Sequence, residues 1–593
     1  MSFHPNEVQR RARLAAALLF LSFVFLVGSF FRTQVLQHAQ YVLQSEENRL
    51  REVPLPAPRG VIYDRRGQII AENLPGYSVS LLAPSVDSLR AALRRLSGTI
   101  SLSPEQVDQA VRRFRRAPNR PAVIFGDASF DVVSVLEEHR VEFPGLIIQS
   151  APKRYYPNGP ATAAFVGYTG EVNESELASE AFRGYKAGQQ VGKDGLEKQY
   201  ESRLRGREGT RFVEVDARGR VVREAGARQD LLPESAPPMN TNIDLDLQKY
   251  VVELFGDSLI GGVVALEPKS GAVLALHSAP TFDPNRFIGG IPVEYWRALN
   301  QDARRPLYNK AIKGTYAPGS TWKLATAVMA MQAGLVSLDD QMPAACTGGF
   351  QFGNRRFKCW DKKGHGRVTL AQAIEVSCDV YFYQLGLKIG LTRLVAGGVD
   401  LGARERTGID LPSETRSIFP TAPATEYYNR RFGIRGWTQA VSLNLAIGQG
   451  ENSQTVVNMA RFYTALATDG TAAQPEIVRG ATVPRTPMFT LNDEQLAGLR
   501  KALAGVVQHG TAAASRIQGV MLAGKTGTAQ NSQDVNRDHA WFVGFAPADD
   551  AKIVVAVMLE FGGHGTRAAR IASKIIEHYL KVQTTQVLNT EGE

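Results

Sequence analysis

The stretch GGVVALEPKSGAVLALHS, residues 261–278, decides the fold. Two apolar runs flank a Pro268-Lys269-Ser270-Gly271 turn, the pattern of a β-hairpin. A matching pair stands near the other end of the chain. HAWFVGFAP (539–547) and KIVVAVMLEF (552–561) bracket Ala548-Asp549-Asp550 and read as two more antiparallel strands. Helices are expected at 244–254 and 568–582, and the intervening sequence is helix-rich. Strands at both ends with helices between predict an antiparallel sheet sandwiched by helices over 241–583. The polar tail 584–593 is expected to be disordered.

Upstream, QDLLPESAPPMN (229–240) carries three prolines in a short polar stretch and predicts a linker. Before it, 33–228 mixes β-like runs (GVIYD, YSVSLL, GLIIQS) with amphipathic stretches at 86–96 and 104–115. This is the pattern of an elongated α+β pedestal, entered through a polar stalk. The sequence 14–32 is almost wholly apolar and long enough to span a bilayer as a helix. Arg10, Arg11 and Arg13 precede it within the tail 1–13 and predict a cytoplasmic N-terminus. A cleaved signal peptide is the rival, but the run is long for one, and Phe30, Phe31 and Arg32 follow the small residues at once. The chain is thus read as a multidomain α+β protein with a single-pass anchor. Its net charge is +10, yet no zinc-finger spacing, RNA-binding aromatic signature or long basic block accompanies it. Nucleic acid is therefore not an expected partner. A basic face suits an anionic membrane or an acidic glycan.

Three short motifs carry the chemistry. Ser320-Thr321-Trp322-Lys323 follows a Pro318-Gly319 turn and opens an apolar helix that Gly334 should stop. A serine hydroxyl is a weak nucleophile and needs a base. Lys323 lies one turn on, and burial disfavours its charged form. Ser377-Cys378-Asp379 reads as part of a continuous helix, with Ser377 available for proton transfer. Lys525-Thr526-Gly527-Thr528 reads as an edge strand, with Gly527 admitting a substrate backbone and Lys525, Thr526 and Thr528 placed to hold a carboxylate. Each motif alone is weak. Decoys occur at Ser150-Ala151-Pro152-Lys153 and Lys269-Ser270-Gly271.

In this order the three resemble the motif set of penicillin-binding proteins and class A β-lactamases. The resemblance to class B penicillin-binding proteins extends over nearly the whole chain after the anchor. It runs through Pro58-Arg59-Gly60-Val61-Ile62-Tyr63-Asp64, Arg154-Tyr155-Tyr156-Pro157, Gly167-Tyr168-Thr169-Gly170 and Gly195-Leu196-Glu197. It continues through Phe282-Asp283-Pro284-Asn285, Thr407-Gly408-Ile409-Asp410-Leu411-Pro412 and Ile447-Gly448-Gln449-Gly450-Glu451. Asp379 in place of the commoner Asn, with Gly364-His365-Gly366 and Arg435-Gly436-Trp437, resembles the elongation-type members rather than the division transpeptidase. The resemblance implies a peptidoglycan D,D-transpeptidase of the inner membrane with an extracytoplasmic catalytic domain. It implies Ser320 as nucleophile, Lys323 as base, Ser377 and Lys525 in proton transfer, and an oxyanion hole from the N–H groups of Ser320 and Thr528. β-Lactams would acylate Ser320. It also implies a partner, a glycan polymerase of the shape, elongation, division and sporulation (SEDS) family, met through the anchor and the pedestal. A β-lactam sensor or hydrolase and a non-catalytic scaffold are the competing classes.

Separately, Cys346, Cys359, His365 and Cys378 use every cysteine of the chain. Three thiolates and one imidazole make a set that tetrahedral zinc accepts, in a structural role because no position stays open. The alternatives are a Cys346–Cys359 disulfide with Cys378 buried, and three unpaired cysteines.

Overall fold

The apolar run near the N-terminus folds as a helix, Pro5–Phe31, extended by one π-helical turn to Leu36. An 18-residue window within Gln9–Leu36 has a mean hydropathy of 2.5, long and apolar enough to cross a membrane, and the helix's large apolar side chains are exposed. The structure, a computed structural model, describes residues 5–38, 50–118, 120–216, 221–223, 229–480, 484–530 and 537–590. Residues 39–49, the middle of the expected stalk, lie outside the described residues. Its far end is not helical: Leu50–Leu55 is a strand paired with Gly209–Val215.

The pedestal is built on the 13-residue strand Ile69–Leu81. It pairs along its length with Leu146–Tyr155, and at one end with Ala122–Ala128. The decoy at 150–153 lies inside this ladder, extended rather than helical. Helices Val86–Leu96 and Pro104–Arg116 cover this end of the sheet. Ser85 caps the first, and Leu89, Leu93 and Leu96 recur on one face and are buried. Ser103 and Gln106 close a capping box on the second.

The lower pedestal holds a buried ionic knot. Glu197 is 0% exposed and accepts from Arg154 Nε at 2.6 Å and Arg59 Nε at 2.9 Å. Arg59 also reaches Glu201 at 2.9 Å, and the Glu201 carboxylate accepts from the backbone N–H of Gly192. This knot uses residues of three motifs quoted above, which explains their chemistry as structural.

The C-terminal sheet has five strands, β1 Gly261–Leu266, β2 Val273–Ala279, β3 Ala523–Ala529, β4 His539–Ala546 and β5 Ile553–Leu559. Their order is β2-β1-β5-β4-β3, antiparallel throughout. β1, β2 and β5 are buried on both faces, which is why they read as continuous apolar runs. Leu245–Phe255, capped by Asp244, and Gly565–Thr590 pack on one side of the sheet. Val456–Ala467 packs on β1, β5 and β4, while Asp493–Gln508 lies against β3. The last helix continues to Thr590, so backbone expected in the disordered tail extends it instead.

The expected linker is not free. Leu231 bridges Thr210, Glu234 bridges Arg207, and Met239–Asn240 runs parallel to Ile62–Tyr63. Its prolines lack donors, but the residues between them keep theirs and pair. The lower pedestal also shares one apolar core with the catalytic domain: Ile62, Tyr156, Phe165, Leu196 and Leu204 pack in the same cluster as the sheet. Polar ties add to this. Asn285 bonds both the N–H and the carbonyl of Tyr156 at 2.9 Å, and Tyr200 donates to Asp410, which also accepts from the backbone of Ile477 and Val478.

Candidate active site

Ser320 sits in a single 3-10 turn, Gly319–Trp322, that runs directly into the helix Lys323–Gln332. Gly319 has φ +52°, and its N–H donates to the carbonyl of Gly448 at 3.0 Å. A Cβ on Gly319 would lie 2.7 Å from the Thr528 carbonyl oxygen, and one on Gly527 would lie 2.8 Å from that of Pro318. The nucleophile turn and the edge strand β3 are therefore in backbone contact, and only glycine permits it.

Ser320 is half-buried, whereas Lys323 is 0% exposed. The Lys323 ammonium donates to the Ser377 carbonyl at 2.8 Å, to Ser377 Oγ at 3.2 Å and to Asp379 Oδ1 at 2.8 Å. The first two motifs thus meet at one nitrogen.

The expected continuous helix through Ser377 is corrected. One helix ends at Glu375, the next starts at Asp379, and Ser377 between them has φ +56°. Such a conformation costs a non-glycine residue roughly 1–2 kcal/mol. It is maintained by donors from outside the segment. Lys323 Nζ and the Trp360 indole, at 3.1 Å, both take the Ser377 carbonyl that an unbroken helix would have used internally.

Lys525, on β3, is fully buried, and its amine is pushed well below the ordinary lysine value. Burial is the main cause and the neighbouring Lys323 charge adds to it, against the opposing pull of Asp379. Thr526 and Thr528 lie two apart on the same face of the strand, opposite to Lys525. Thr526 Oγ1 bonds Thr511 Oγ1 at 2.6 Å, and Thr528 Oγ1 accepts from the Gly565 N–H at 3.3 Å. The Lys525 amine, based on the other face, donates to the Thr526 carbonyl at 3.2 Å.

Two neighbours of the site went unread in the sequence. Thr511 has no local signal. Trp360 has one, since it follows Cys359 directly.

Cys346, Cys359, His365 and Cys378 converge behind this site. All their ligand atoms lie within 4.8 Å of one another. His365 Nδ1 is 3.6 Å from both Cys346 Sγ and Cys359 Sγ, and the three cysteines are free. A tetrahedral zinc with ordinary bond lengths would set sulfur and nitrogen about 3.5 Å apart, so the residues fit the ion. Cys359 is the thiol drawn toward thiolate, first by the Cys378 S–H and further by His365 and by the N–H groups of Asp379 and Asp361. Hence the cluster is tied to the Ser377–Asp379 turn through backbone as well as side chains.

Two family models match the chain: the penicillin binding protein transpeptidase domain over residues 261–577, and the penicillin-binding protein dimerisation domain over residues 54–232. The peptidoglycan D,D-transpeptidase MrdA of Acinetobacter baumannii is 32% identical, over 98% of this chain and 89% of its own length. Among solved structures, a penicillin-binding protein (PBP2) from Helicobacter pylori in complex with MreC is similar, with a TM-score of 0.79 and 27% identity. The match covers 90% of this chain and 99% of that one. A chain of a peptidoglycan synthase complex that coordinates polymerization and crosslinking matches with a TM-score of 0.69 and 28% identity, over 95% and 97% of the two chains.

Proposed function

We propose, from the premise that this chain belongs to the penicillin-binding protein transpeptidase family, that it cross-links peptidoglycan stem peptides through an acyl-enzyme on Ser320. The observation that carries this reading is the meeting of Lys323 with Ser377 and Asp379 beside a strand pressed against the Ser320 turn. Ser320 Oγ attacks the carbonyl between the terminal D-alanines. Lys323, one turn on, takes the Ser320 proton as general base. A C–O bond forms, the C–N bond breaks, and the proton passes by way of Ser377 to the departing D-alanine amine. Lys525 stands behind this transfer. The N–H groups of Ser320 and Thr528 receive the oxyanion, and the hydroxyls of Thr526 and Thr528 hold the terminal carboxylate. An amine of a second stem peptide then attacks the ester and frees Ser320. β-Lactams acylate the same oxygen. Intact-mass analysis of the penicillin-treated protein, with peptide mapping, tests this. One adduct is expected, on the peptide carrying Ser320, and an adduct mapped elsewhere overturns the assignment.

The chain acts in cell elongation, consistent with Asp379 in the second motif and with its elongation-type relatives. It is anchored in the inner membrane by the helix at 14–32, with the catalytic domain outside the cytoplasm. Its partner is a SEDS-family glycan polymerase, engaged through the anchor and the pedestal. This is supported by the similar chain from a peptidoglycan synthase complex, and the relative solved in complex with MreC makes a protein of that kind a second candidate partner.

Cys346, Cys359, Cys378 and His365 hold a structural zinc ion, whose chemistry is to cross-link the loop 346–366 to the second motif. Metal analysis of the purified protein should find about one zinc per chain; less than about a tenth of an equivalent, with a Cys346–Cys359 disulfide by mass, ends this assignment.

A further inference from the structure

Trp360 lies outside all three catalytic motifs, and the residue is 58% exposed. Its two N–H groups are nonetheless committed to the second motif. The backbone N–H donates to Asp379 Oδ2 at 3.0 Å. The indole Nε1–H is shared between the Val376 carbonyl at 3.0 Å and the Ser377 carbonyl at 3.1 Å. Lys323 Nζ binds the same two groups, the Ser377 carbonyl and the other oxygen of the Asp379 carboxylate. Of the three acceptors that aim the lysine, the Ser377 carbonyl and the Asp379 carboxylate are therefore also held by Trp360, while Ser377 Oγ is not. Among the described residues no other side chain outside the motifs is seen to reach both.

The placement follows from the cysteine cluster. Cys359 immediately precedes Trp360, and Cys378 stands between Ser377 and Asp379. Bringing the two sulfurs together brings their chain neighbours together. The strained Ser377 backbone needs such support, since its carbonyl takes part in no ordinary helix ladder.

We propose that Trp360 is a positioning residue for acyl transfer: its indole and backbone N–H groups fix the Ser377 carbonyl and the Asp379 carboxylate, and so fix where Lys323 points. This rests on Ser320 and Lys323 acting as nucleophile and base. The full-length protein in detergent, mixed with a fluorescent penicillin in stopped flow, separates the limiting acylation rate from the half-saturating concentration. Two replacements isolate the indole donor. Trp360→Phe removes it, and β-(3-benzothienyl)alanine at position 360 keeps the bicyclic shape with sulfur in place of Nε1–H. Both should lower the limiting rate about three- to tenfold, the equivalent of one net hydrogen bond, while the half-saturating concentration, melting temperature and metal content hold. A wild-type rate in the benzothienyl variant overturns the proposal. So does a rate that falls only in step with the melting temperature, which would make Trp360 a packing group. Ser320→Ala is measured alongside. If it still labels, the nucleophile assignment fails; if it is silent while Trp360→Phe is unimpaired, only the role of Trp360 fails.

Discussion

Ser320→Ala will carry no penicillin adduct by intact mass and will cross-link no stem peptides, while its melting temperature stays within a few degrees of wild type. The two halves of this expectation have separate grounds. Ser320 is half-buried at a turn held by backbone contacts, the Gly319 N–H to Gly448 and the close approach of Thr528, and neither uses the hydroxyl. Exchanging a hydroxyl for hydrogen there leaves no buried group unpaired. Removing the attacking atom of a serine acyl-transfer site, by contrast, lowers the rate by about 10^4 to 10^6, because binding and the oxyanion donors supply only the remainder. Labelling of the variant at a tenth of the wild-type rate would mean that another nucleophile serves, and the reading of the site would fail.

Glu197→Ala will destabilise the protein by about 3–5 kcal/mol, the penalty for leaving a buried charge without its partner. Two guanidinium groups converge on this carboxylate, and neither Arg59 nor Arg154 is exposed enough to turn to water. Burial pushes the Glu197 carboxyl up, but Arg154 and Arg59 more than reverse it, so its folded value lies below the ordinary 4.5. A lowered carboxylate contributes stability that is fully present above the unfolded value and is lost as pH falls through the folded one. Wild-type protein should thus lose stability steeply below about pH 4.5, and Glu197→Ala should show a shallower acid limb. Urea unfolding at pH 7 and pH 4 measures both; a midpoint unchanged at pH 7 would remove the knot from any part in stability.

Strands were legible where burial on both faces forces an unbroken apolar run, as in β1, β2 and β5. The edge strand was legible from the flanks of Lys525-Thr526-Gly527-Thr528, MLAG before it and Ala529-Gln530 after it. The break at Ser377 was not. AQAIEVSCDVYFYQLG has the composition of a helix, and what breaks it arrives from Lys323 and Trp360, distant in sequence. Local pattern has no access to donors supplied by tertiary contact. The pairing of 229–240 was hidden for a related reason, since prolines announce a boundary but say nothing of the residues between them. The cysteine and histidine set was readable because its chemistry is scarce: four residues account for every thiol in the chain.

The common apolar core of the lower pedestal and the catalytic sheet bears on how such proteins exchange parts. A recombination joint placed at the prolines of 229–240 would separate Tyr156, Phe165 and Leu196 from the surface they cover, and both products would present raw hydrophobic faces. Chimeras meant to swap binding partners have a safer seam higher up, around the distal lobe of 79–148, whose main cluster is separate from that core and which touches the rest through Leu82 and Ile147 against Val53, Val213 and Val215. That lobe is the portion an exchange can replace while the lower pedestal and the enzyme keep the hydrophobic surface they hold in common.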